Sequence, residues 1–458
     1  MSRKSARALS TNFTEGPILR QLASFALPVL LALFLQSLYG AVDLAVVGQF
    51  ASSADVSAVS TGSQIMQSLT GLASGFAAGV TILLGMRIGA GSAREGGKVV
   101  GAGIFFFAVA SLLLALGTAL GAGRLASLLN APQEAASATT AYIRICGAGL
   151  PVILAYNLIG SVFRGIGDSR TPLVTVAIAA ACNVLGDLLL VAVLQLGAAG
   201  AAIATVISQL LSVLISLLLI RRRELPFSFG FADIRPDKSL ILRIVQLGFP
   251  LALSDALVSV SFLIVLSIVN ALGLTASAGV GVAEKVCAFI MLFSIAFMQS
   301  MSAFVAQNIG AGRRDRALRS LRDGILLSLG AGVALGLLSF FRGDLLAGLF
   351  SREAVVIAAA WDYLKAYAID CVLTSFLFVF IGFFSGIGST RFVMIQDVIG
   401  ALCLRVPLSW LFSRMQPVSL FRIGLATPCS SFVQVLICFG ALWILRRRWQ
   451  REAAAPKA

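Results

Sequence analysis

Long apolar stretches recur along this chain from Ala23 to Leu445, and each is long enough to cross a bilayer as a helix. Roughly 20 helical residues span about 30 Å of hydrocarbon. Backbone N–H and C=O groups find no water inside lipid, so only helices or closed barrels can cross it. The stretches are continuous rather than alternating in polarity, which selects helices. A soluble fold is excluded by the same pattern. Of the 458 residues, 59% are hydrophobic and only 12% charged, and mean hydropathy is +0.97. That leaves too little polar surface to cover a core.

Gly, Pro and charged residues punctuate the apolar runs. They divide the chain into twelve expected helices, near 23–47, 56–84, 98–121, 138–162, 172–194 and 197–220, then 243–268, 277–306, 324–349, 358–384, 392–413 and 423–445. The first run is too long for the core of a cleavable signal and reads as a retained span. The expected fold is therefore all-α and polytopic, with two six-helix lobes. The expected organisation is a tail at 1–22, a first lobe at 23–220, a linker at 221–242, a second lobe at 243–445 and a basic tail at 446–458.

Net charge is +15. The basic residues sit between apolar runs, which is the pattern of membrane topology rather than of nucleic-acid binding. Both termini and the segments after spans 2, 4, 6, 8 and 10 carry 26 of the 35 Lys and Arg residues, including Arg3, Lys4, Arg7, Arg20, Arg223 and Lys457. The loops after spans 1 and 5 have none. This asymmetry places both termini in the cytoplasm, consistent with an even number of spans. The linker from Arg221 to Arg243 holds six basic residues, so it is expected to lie along anionic lipid headgroups. The seven cysteines are scattered, and there is no His. This argues against a zinc or haem centre and against a disulfide framework.

Two glycine motifs occur twice at one interval. Ile88-Gly89-Ala90-Gly91 returns as Ile309-Gly310-Ala311-Gly312, and Gly165-Ile166-Gly167 returns as Gly386-Ile387-Gly388, each 221 residues later. Pro28 returns as Pro250 after 222 residues. Six spans per half is an even number, so the halves run parallel, the layout of many secondary transporters. The glycines read either as tight turns or as substrate contacts, and the turn reading is the simpler. No Gly-Lys-Ser/Thr follows either motif, so neither is a phosphate loop and the driving energy is expected from an ion gradient.

Six carboxylates fall inside expected spans: Asp43, Asp187, Asp255, Glu284, Asp370 and Asp397. Ionisable groups at that depth are costly and mark ion or substrate paths. Gln36, Tyr39 and Asp43 share one face of span 1, and Asn183 and Asp187 share one face of span 5. Asn157 in span 4 and Thr205 in span 6 complete the first-half set. Two acids with amide and hydroxyl oxygens suit a hard monovalent cation or one shared proton. The competing reading is a network that only joins helices. In the second half, Asp255, Glu284, Tyr367, Asp370 and Asp397 form a possible second site, but Lys285 and Arg405 could neutralise acids there, so the structural reading stands equal. Phe289, Phe293 and Phe297 recur every four residues and line either a lipophilic cavity or an ordinary packed stripe. Pro28 is either a working hinge or a static kink, and Pro151 a second break.

Span 1 reads Leu27-Pro28, Leu35-Gln36-Ser37-Leu38-Tyr39, Val42-Asp43 and Val47-Gly48. With the Ile-Gly-Ala-Gly pairs, Arg164-Gly165-Ile166-Gly167-Asp168-Ser169-Arg170-Thr171-Pro172, Gly200 to Thr205 and Arg405-Val406-Pro407, it resembles the multidrug and toxic compound extrusion (MATE) family over about residues 15 to 448. The resemblance implies twelve helices in two lobes around a central cleft, and antiport of H⁺ or Na⁺ against lipophilic, often cationic drugs or toxic metabolites. It implies an inner-membrane exporter of small molecules with no cofactor, no metal beyond Na⁺, no nucleic-acid partner, lipid contacts and a monomeric state. A first-lobe cation site of archaeal and DinF-like members matches Asp43, Asn183, Asp187 and Thr205, with Tyr39, Gln36 and Asn157 nearby. The second-lobe site of the NorM-like branch matches Asp255, Tyr367 and Asp370 only loosely, so the chain is most similar to the DinF-like branch. The alternative within the superfamily is a flippase of lipid-linked precursors, which would want a basic cavity. An enzyme is not expected, since the chain has no His and no nucleophile–base pair.

Overall fold

The computed structural model describes residues 12–222 and 225–454. The basic residues Arg3, Lys4, Arg7, Arg223 and Lys457 lie outside the described residues, as do the first part of the 1–22 tail and the end of the 446–458 tail. Every regular element among the described residues is helical. The helices are α1 (Ile18–Phe50), α2 (Ser53–Gly89), α3 (Ala93–Leu128), α4 (Gln133–Ala148), α5 (Leu150–Gly165), α6 (Arg170–Asp187) and α7 (Gly197–Arg221). They continue as α8 (Lys238–Asn270), α9 (Leu274–Gly310), α10 (Arg314–Gly348), α11 (Ala354–Gly386), α12 (Thr390–Val398), α13 (Val406–Arg414), α14 (Leu420–Gly424) and α15 (Ala426–Ala454).

Eleven spans are long and apolar enough to cross a membrane, and α4 with α5, bent by 52°, makes a twelfth. The bend follows from the sequence. Gly149 joins the two helices, and Pro151 near the start of α5 has no N–H for the preceding turn. Pro28, by contrast, sits within α1, and helix continues through it from Ile18 to Phe50. Most helices outrun the expected spans. Hydropathy marks only the part that suits hydrocarbon, whereas charged turns such as Arg314 to Asp323 also wind as helix. The outer surface is apolar: Leu112, Leu113, Leu116 and Leu120 of α3 are each more than half exposed, as a lipid-facing helix requires.

The chain divides into two compact units. The first comprises Met1–Leu253, Ser302–Ala317 and Gly386–Gly388, and the second Ser254–Met301, Leu318–Ser385 and Ser389–Ala458. In the first unit α6 packs against both α1 and α7, while α2 and α3 each pack against α4 and α5. The core includes Val47, Ala58, Ala77, Val80, Leu84, Leu150 and Ile166. The linker does not run free. Phe227 is buried, Gly96 brings α3 against its ring, and Gly97 and Gly101 let the carbonyls of Ser228 and Asp233 lie on the helix. The linker's apolar side thus docks on α3, with Phe231 left 86% exposed.

Two features close one end of this unit. Gly89 faces the backbone of Gln307, and Gly310 faces the backbone of Met86. These pairs exchange places under the 221-residue interval, so α2 and the end of α9 meet through a reciprocal contact in which each glycine admits the other helix's carbonyl. Small residues at such crossings permit backbone approach. Beside it, residues 12–17 form a strap. Phe13 is fully buried, 5.1 Å from both the Phe25 and Phe304 rings. Arg316 donates to the carbonyls of Phe13, Glu15 and Gly16 at 2.9, 2.9 and 2.7 Å and to Gln21 Oε1 at 2.8 Å. Arg313 donates to Thr14 O, and Asn308 to Phe13 O. Gln307 accepts from Phe13 N and donates to Gly165 O, tying the strap to the second glycine motif.

One guanidinium therefore holds most of the strap. Hydrogen bonds to charged groups contribute about 1.5–3 kcal/mol each when dry, and less at this partly exposed site. Arg316→Ala is expected to speed chymotryptic cleavage at Phe13 by about tenfold or more, a local opening cost lowered by about 1.4 kcal/mol. Time courses of the intact chain against the variant check this. Equal rates would show that the strap is held by Phe13 packing alone.

In the second unit, Val269, Val280, Ala283, Tyr363 and Leu364 form a core. Gly279 brings α9 onto Ala359 and Ala360 of α11, and Gly336 brings α10 to within 2.8 Å, measured from a Cβ built on it, of the Ala368 carbonyl. Between α12 and α13 the chain winds as π-helix from Ile399 to Arg405 and packs against α15. A π turn also follows α6, from Leu188 to Val193. Such wide turns inside a span often mark functional positions.

Candidate functional site

The packing of α6 between α1 and α7 decides where the first-half acids go. Asp43 on α1, Asn183 and Asp187 on α6, and Thr205 on α7 are brought to one place. Gly186 and Ala204, beside Asp187 and Thr205, set the approach: a Cβ built on Gly186 would lie 3.1 Å from Ala204 Cβ. Asp43 is 7% exposed, Asn183 1% and Asp187 0%. Asp187, Thr205 and Asn183 are the side chains that act on Asp43, and none is basic.

Thr205 Oγ1 donates to Asp43 Oδ2 at 3.4 Å, a long bond, and also to Ala201 O at 3.0 Å. The protein gives no hydrogen-bond partner to Asp43 Oδ1, to either carboxylate oxygen of Asp187, or to either amide atom of Asn183. Buried polar atoms are nearly always paired, and leaving one unpaired costs about 1–3 kcal/mol. Two acids, an amide oxygen and a hydroxyl therefore face each other with lone pairs that no side chain takes. The set contains two carboxylates, and no group of three or more His, Cys, Asp or Glu residues that could hold a metal occurs among the described residues. Its donors are hard oxygens, which fit a monovalent cation or a proton.

The other first-half residues make separate contacts outside this cluster. Gln36 Nε2 donates to Tyr156 Oη at 2.6 Å, and the Tyr39 phenol lies beside Gln209 and within electrostatic reach of Asp43. Asn157 donates to Ile153 O at 2.9 Å and accepts from Ser74 at 3.3 Å. Sequence reading missed Tyr156, Gln209 and Ser74. Two signals were available, since Tyr156 adjoins Asn157 and Gln209 lies one turn after Thr205. Tyr142 was also missed; it is buried against Gly62, within electrostatic reach of Asp43 and Asp187.

In the second unit, Asp397 accepts from Ser254 Oγ and Gln396 Nε2, both at 2.5 Å. Asp370 is 1% exposed and lies beside Ser431. Arg405 is 8% exposed, donates to Ser261 Oγ at 3.1 Å and lies 4.3 Å from the Phe262 ring centroid. Tyr367 reaches the Cys287 carbonyl at 3.4 Å, and Glu284 lies near Cys287 and Tyr363. Asp255, exposed on its helix beside Ser254, is within electrostatic reach of Asp397. The aromatic stripe splits: Phe293 and Phe297 pack together at 4.9 Å, while Phe289 turns to Phe350 at 6.1 Å.

The chain is similar to known proteins over most of its length. "Probable multidrug resistance protein YoeA" of Bacillus subtilis (strain 168) is 26% identical over 436 residues, covering 93% of this chain and 94% of that protein. "Probable multidrug resistance protein YpnP" of the same organism is 27% identical, covering 88% and 90%. "Multidrug export protein MepA" of Staphylococcus aureus (strain N315) is 21% identical, covering 86% and 87%. Among solved structures, one described as MATE in the bent conformation superposes with a TM-score of 0.90 at 18% identity, covering 99% of this chain and 100% of that one. An outward-facing multidrug resistance MATE family transporter of the MOP superfamily gives 0.88 at 19%, covering 100% of both. The MatE family model matches twice, at residues 28–189 and 250–411, one match in each half of the repeat. Those two matches take in more than two thirds of the sequence, and with them the chain belongs to the MatE family of multidrug and toxic compound extrusion transporters.

Proposed function

We propose that this transporter is a multidrug exporter that antiports H⁺ or Na⁺ against lipophilic, often cationic, small molecules by alternating access. It works in a bacterial inner membrane, as a monomer with both termini cytoplasmic. Multidrug export is named for its relative MepA, and probable multidrug resistance for YoeA and YpnP. The observation that carries the coupling is the buried Asp43–Asn183–Asp187–Thr205 cluster, whose carboxylate and amide oxygens have no protein partner apart from the long Thr205 bond. Two like charges in a dry site repel at close range, so a bound cation favours the packing of α1 against α6. Release of the cation favours a different packing. A ligand shifts such an equilibrium only by its differential affinity for the two states, and drug and cation bind best to opposite ones. The flippase reading draws no support here, since the side chains acting on the first-half acids include no base.

The test is efflux of a fluorescent lipophilic cation from proteoliposomes with H⁺ and Na⁺ gradients imposed one at a time. At least one gradient is expected to drive efflux, and collapsing it to stop efflux. Equal efflux with neither gradient would refute antiport.

A further inference from the structure

Asp55, half-buried in the first turn of α2, puts its two carboxylate oxygens to different uses. Oδ2 accepts from Ser52 N at 3.3 Å and from Ser52 Oγ at 2.6 Å, while Ser52 Oγ accepts from Asp55 N at 3.2 Å. That exchange is a complete capping box, and it starts α2 without Oδ1. Oδ1 turns to a distant segment and accepts from Ala198 N at 2.9 Å, in the first turn of α7. Ala198 is fully buried. The corner before it is shaped to admit the carboxylate. Gly197 has φ +55°, which glycine adopts without strain, and a Cβ built on it would run into Asp55 Oδ1.

The two corners joined by this carboxylate are those that carry the acid cluster. Asp43 lies two turns before the end of α1, and the short corner from α1 to α2 contains Ser52. Asp187 is the last residue of α6. The π turn after it, Leu188–Val193, packs against α1 and α7 and leads to the α7 corner. Thr205 follows Ala198 by two turns, on the same face of α7.

The second half is built differently. The two family-model matches begin at residues 28 and 250, a register that carries Asp55 to Ser277. Ser277 Oγ donates to Asn270 Oδ1 at 2.7 Å, a local bond across the α8–α9 corner. The start of α14 is held instead by Asp362 of α11, whose Oδ2 accepts from Phe421 N at 3.0 Å. The same register carries Asp43 to Val265 and Asp187 to Ser409. The tie from the first corner to the last thus accompanies the carboxylate pair and is replaced where that pair is absent.

We infer that Asp55 is a positioning residue for the cation site, a clamp between the α1–α2 and α6–α7 corners. It touches neither the cation nor the drug. It sets where Asp43 stands relative to Asp187 and Thr205 before a cation arrives. A site held in advance binds more tightly, because binding need not order it. Without the clamp the cation itself must draw α1 to the α6–α7 pair, so cation affinity falls while the rate at saturating cation is kept. This rests on the cation reading of Asp43 and Asp187.

The experiment follows efflux of a fluorescent lipophilic cation from proteoliposomes as the driving cation is raised, and separates its half-saturating concentration from the maximum rate. Asp55→Ala is expected to raise the half-saturating concentration about tenfold, as loss of one hydrogen bond to a charged group does. The maximum rate is expected to stay within about twofold of the parent. Asp55→Asn has a single acceptor oxygen and can hold one corner at a time, so its half-saturating concentration is expected to rise by less. Ser52→Ala removes the cap hydroxyl and leaves the Ala198 bond. It is expected to lower the melting temperature and to keep the half-saturating concentration within about twofold of the parent. If Asp55 does no more than start α2, Asp55→Ala and Ser52→Ala move the half-saturating concentration alike or not at all, and either result overturns the inference. A parent whose efflux responds to neither H⁺ nor Na⁺ refutes the cation reading itself, and the clamp with it. Should the Asp55→Ala chain fail to fold, Asp55→Asn decides alone, with a rise beyond about twofold in support and a smaller one against.

Discussion

Asp43→Asn is expected to lower gradient-driven efflux by at least tenfold, and Asp187→Asn to do the same. The Asn side chain keeps the size and one carbonyl oxygen, so packing of α1 against α6 is preserved. What it removes is the charge that makes cation binding differ between states. Coupling between ligands in such systems amounts to about 1–3 kcal/mol, or about 5–150-fold, and loss of either acid is expected to forfeit most of it. Both variants should fold: Asp187 has no hydrogen-bond partner to lose, and Asp43 has one long bond from Thr205. Their melting temperatures in detergent are expected to equal or exceed that of the parent, since unpaired buried charge is costly. Efflux in proteoliposomes with the driving gradient imposed is the measurement. Activity within a factor of two of the parent would remove the basis for the coupling mechanism.

Gly89→Leu or Gly310→Leu is expected to abolish export altogether, by a different route. A Cβ at Gly89 would lie 2.7 Å from the carbonyl carbon of Gln307, and one at Gly310 2.7 Å from that of Met86. The obstacle in each case is backbone, which cannot rotate aside as a side chain can. Overpacking inside a well-packed core costs about 1–3 kcal/mol and more when backbone must move. Gly89→Ala and Gly310→Ala are expected to show the smaller form of this effect, a fall in melting temperature of a few degrees. Gly117 and Gly121 of α3 supply the control, because a Cβ there meets nothing within 4 Å. Gly117→Ala and Gly121→Ala should each be neutral or stabilising by up to about 1 kcal/mol, as helix propensity dictates. If all four Ala variants behave alike, the α2–α9 contact is not tight.

Much of this fold is written in the chain's hydropathy. Apolar runs separated by charged loops announce the spans, and Pro151 announces the break in the fourth. The acid cluster is legible because Asn183 and Asp187 are one turn apart on one face, which leaves Asp43 and Thr205 as partners from neighbouring spans. What escaped were groups whose role is set by contact across helices rather than along one. Tyr156 and Gln209 look like ordinary polar residues until Gln36 is found bonded to the first and Tyr39 beside the second. Phe13 precedes the first apolar run, and no periodicity shows that it is buried between Phe25 and Phe304. Linker glycine partners such as Gly97 and Gly101 read as helix-weakening residues until a carbonyl is seen resting on each. The second-half acids were too many for spacing to sort. Asp397 is held by Ser254 and Gln396, whereas Asp255 stays exposed, a difference only packing reveals.

The central claim is that Asp43 and Asp187 hold a cation in competition with the exported molecule. Affinity of the purified transporter for a fluorescent lipophilic cation, titrated over a range of Na⁺ concentration at fixed pH and of pH at fixed Na⁺, tests it most directly. The affinity is expected to fall as one of the two cations rises, and to lose that dependence in the Asp43→Asn, Asp187→Asn chain. A parent affinity indifferent to both cations, or a doubly substituted chain with the parent's full dependence, would contradict it.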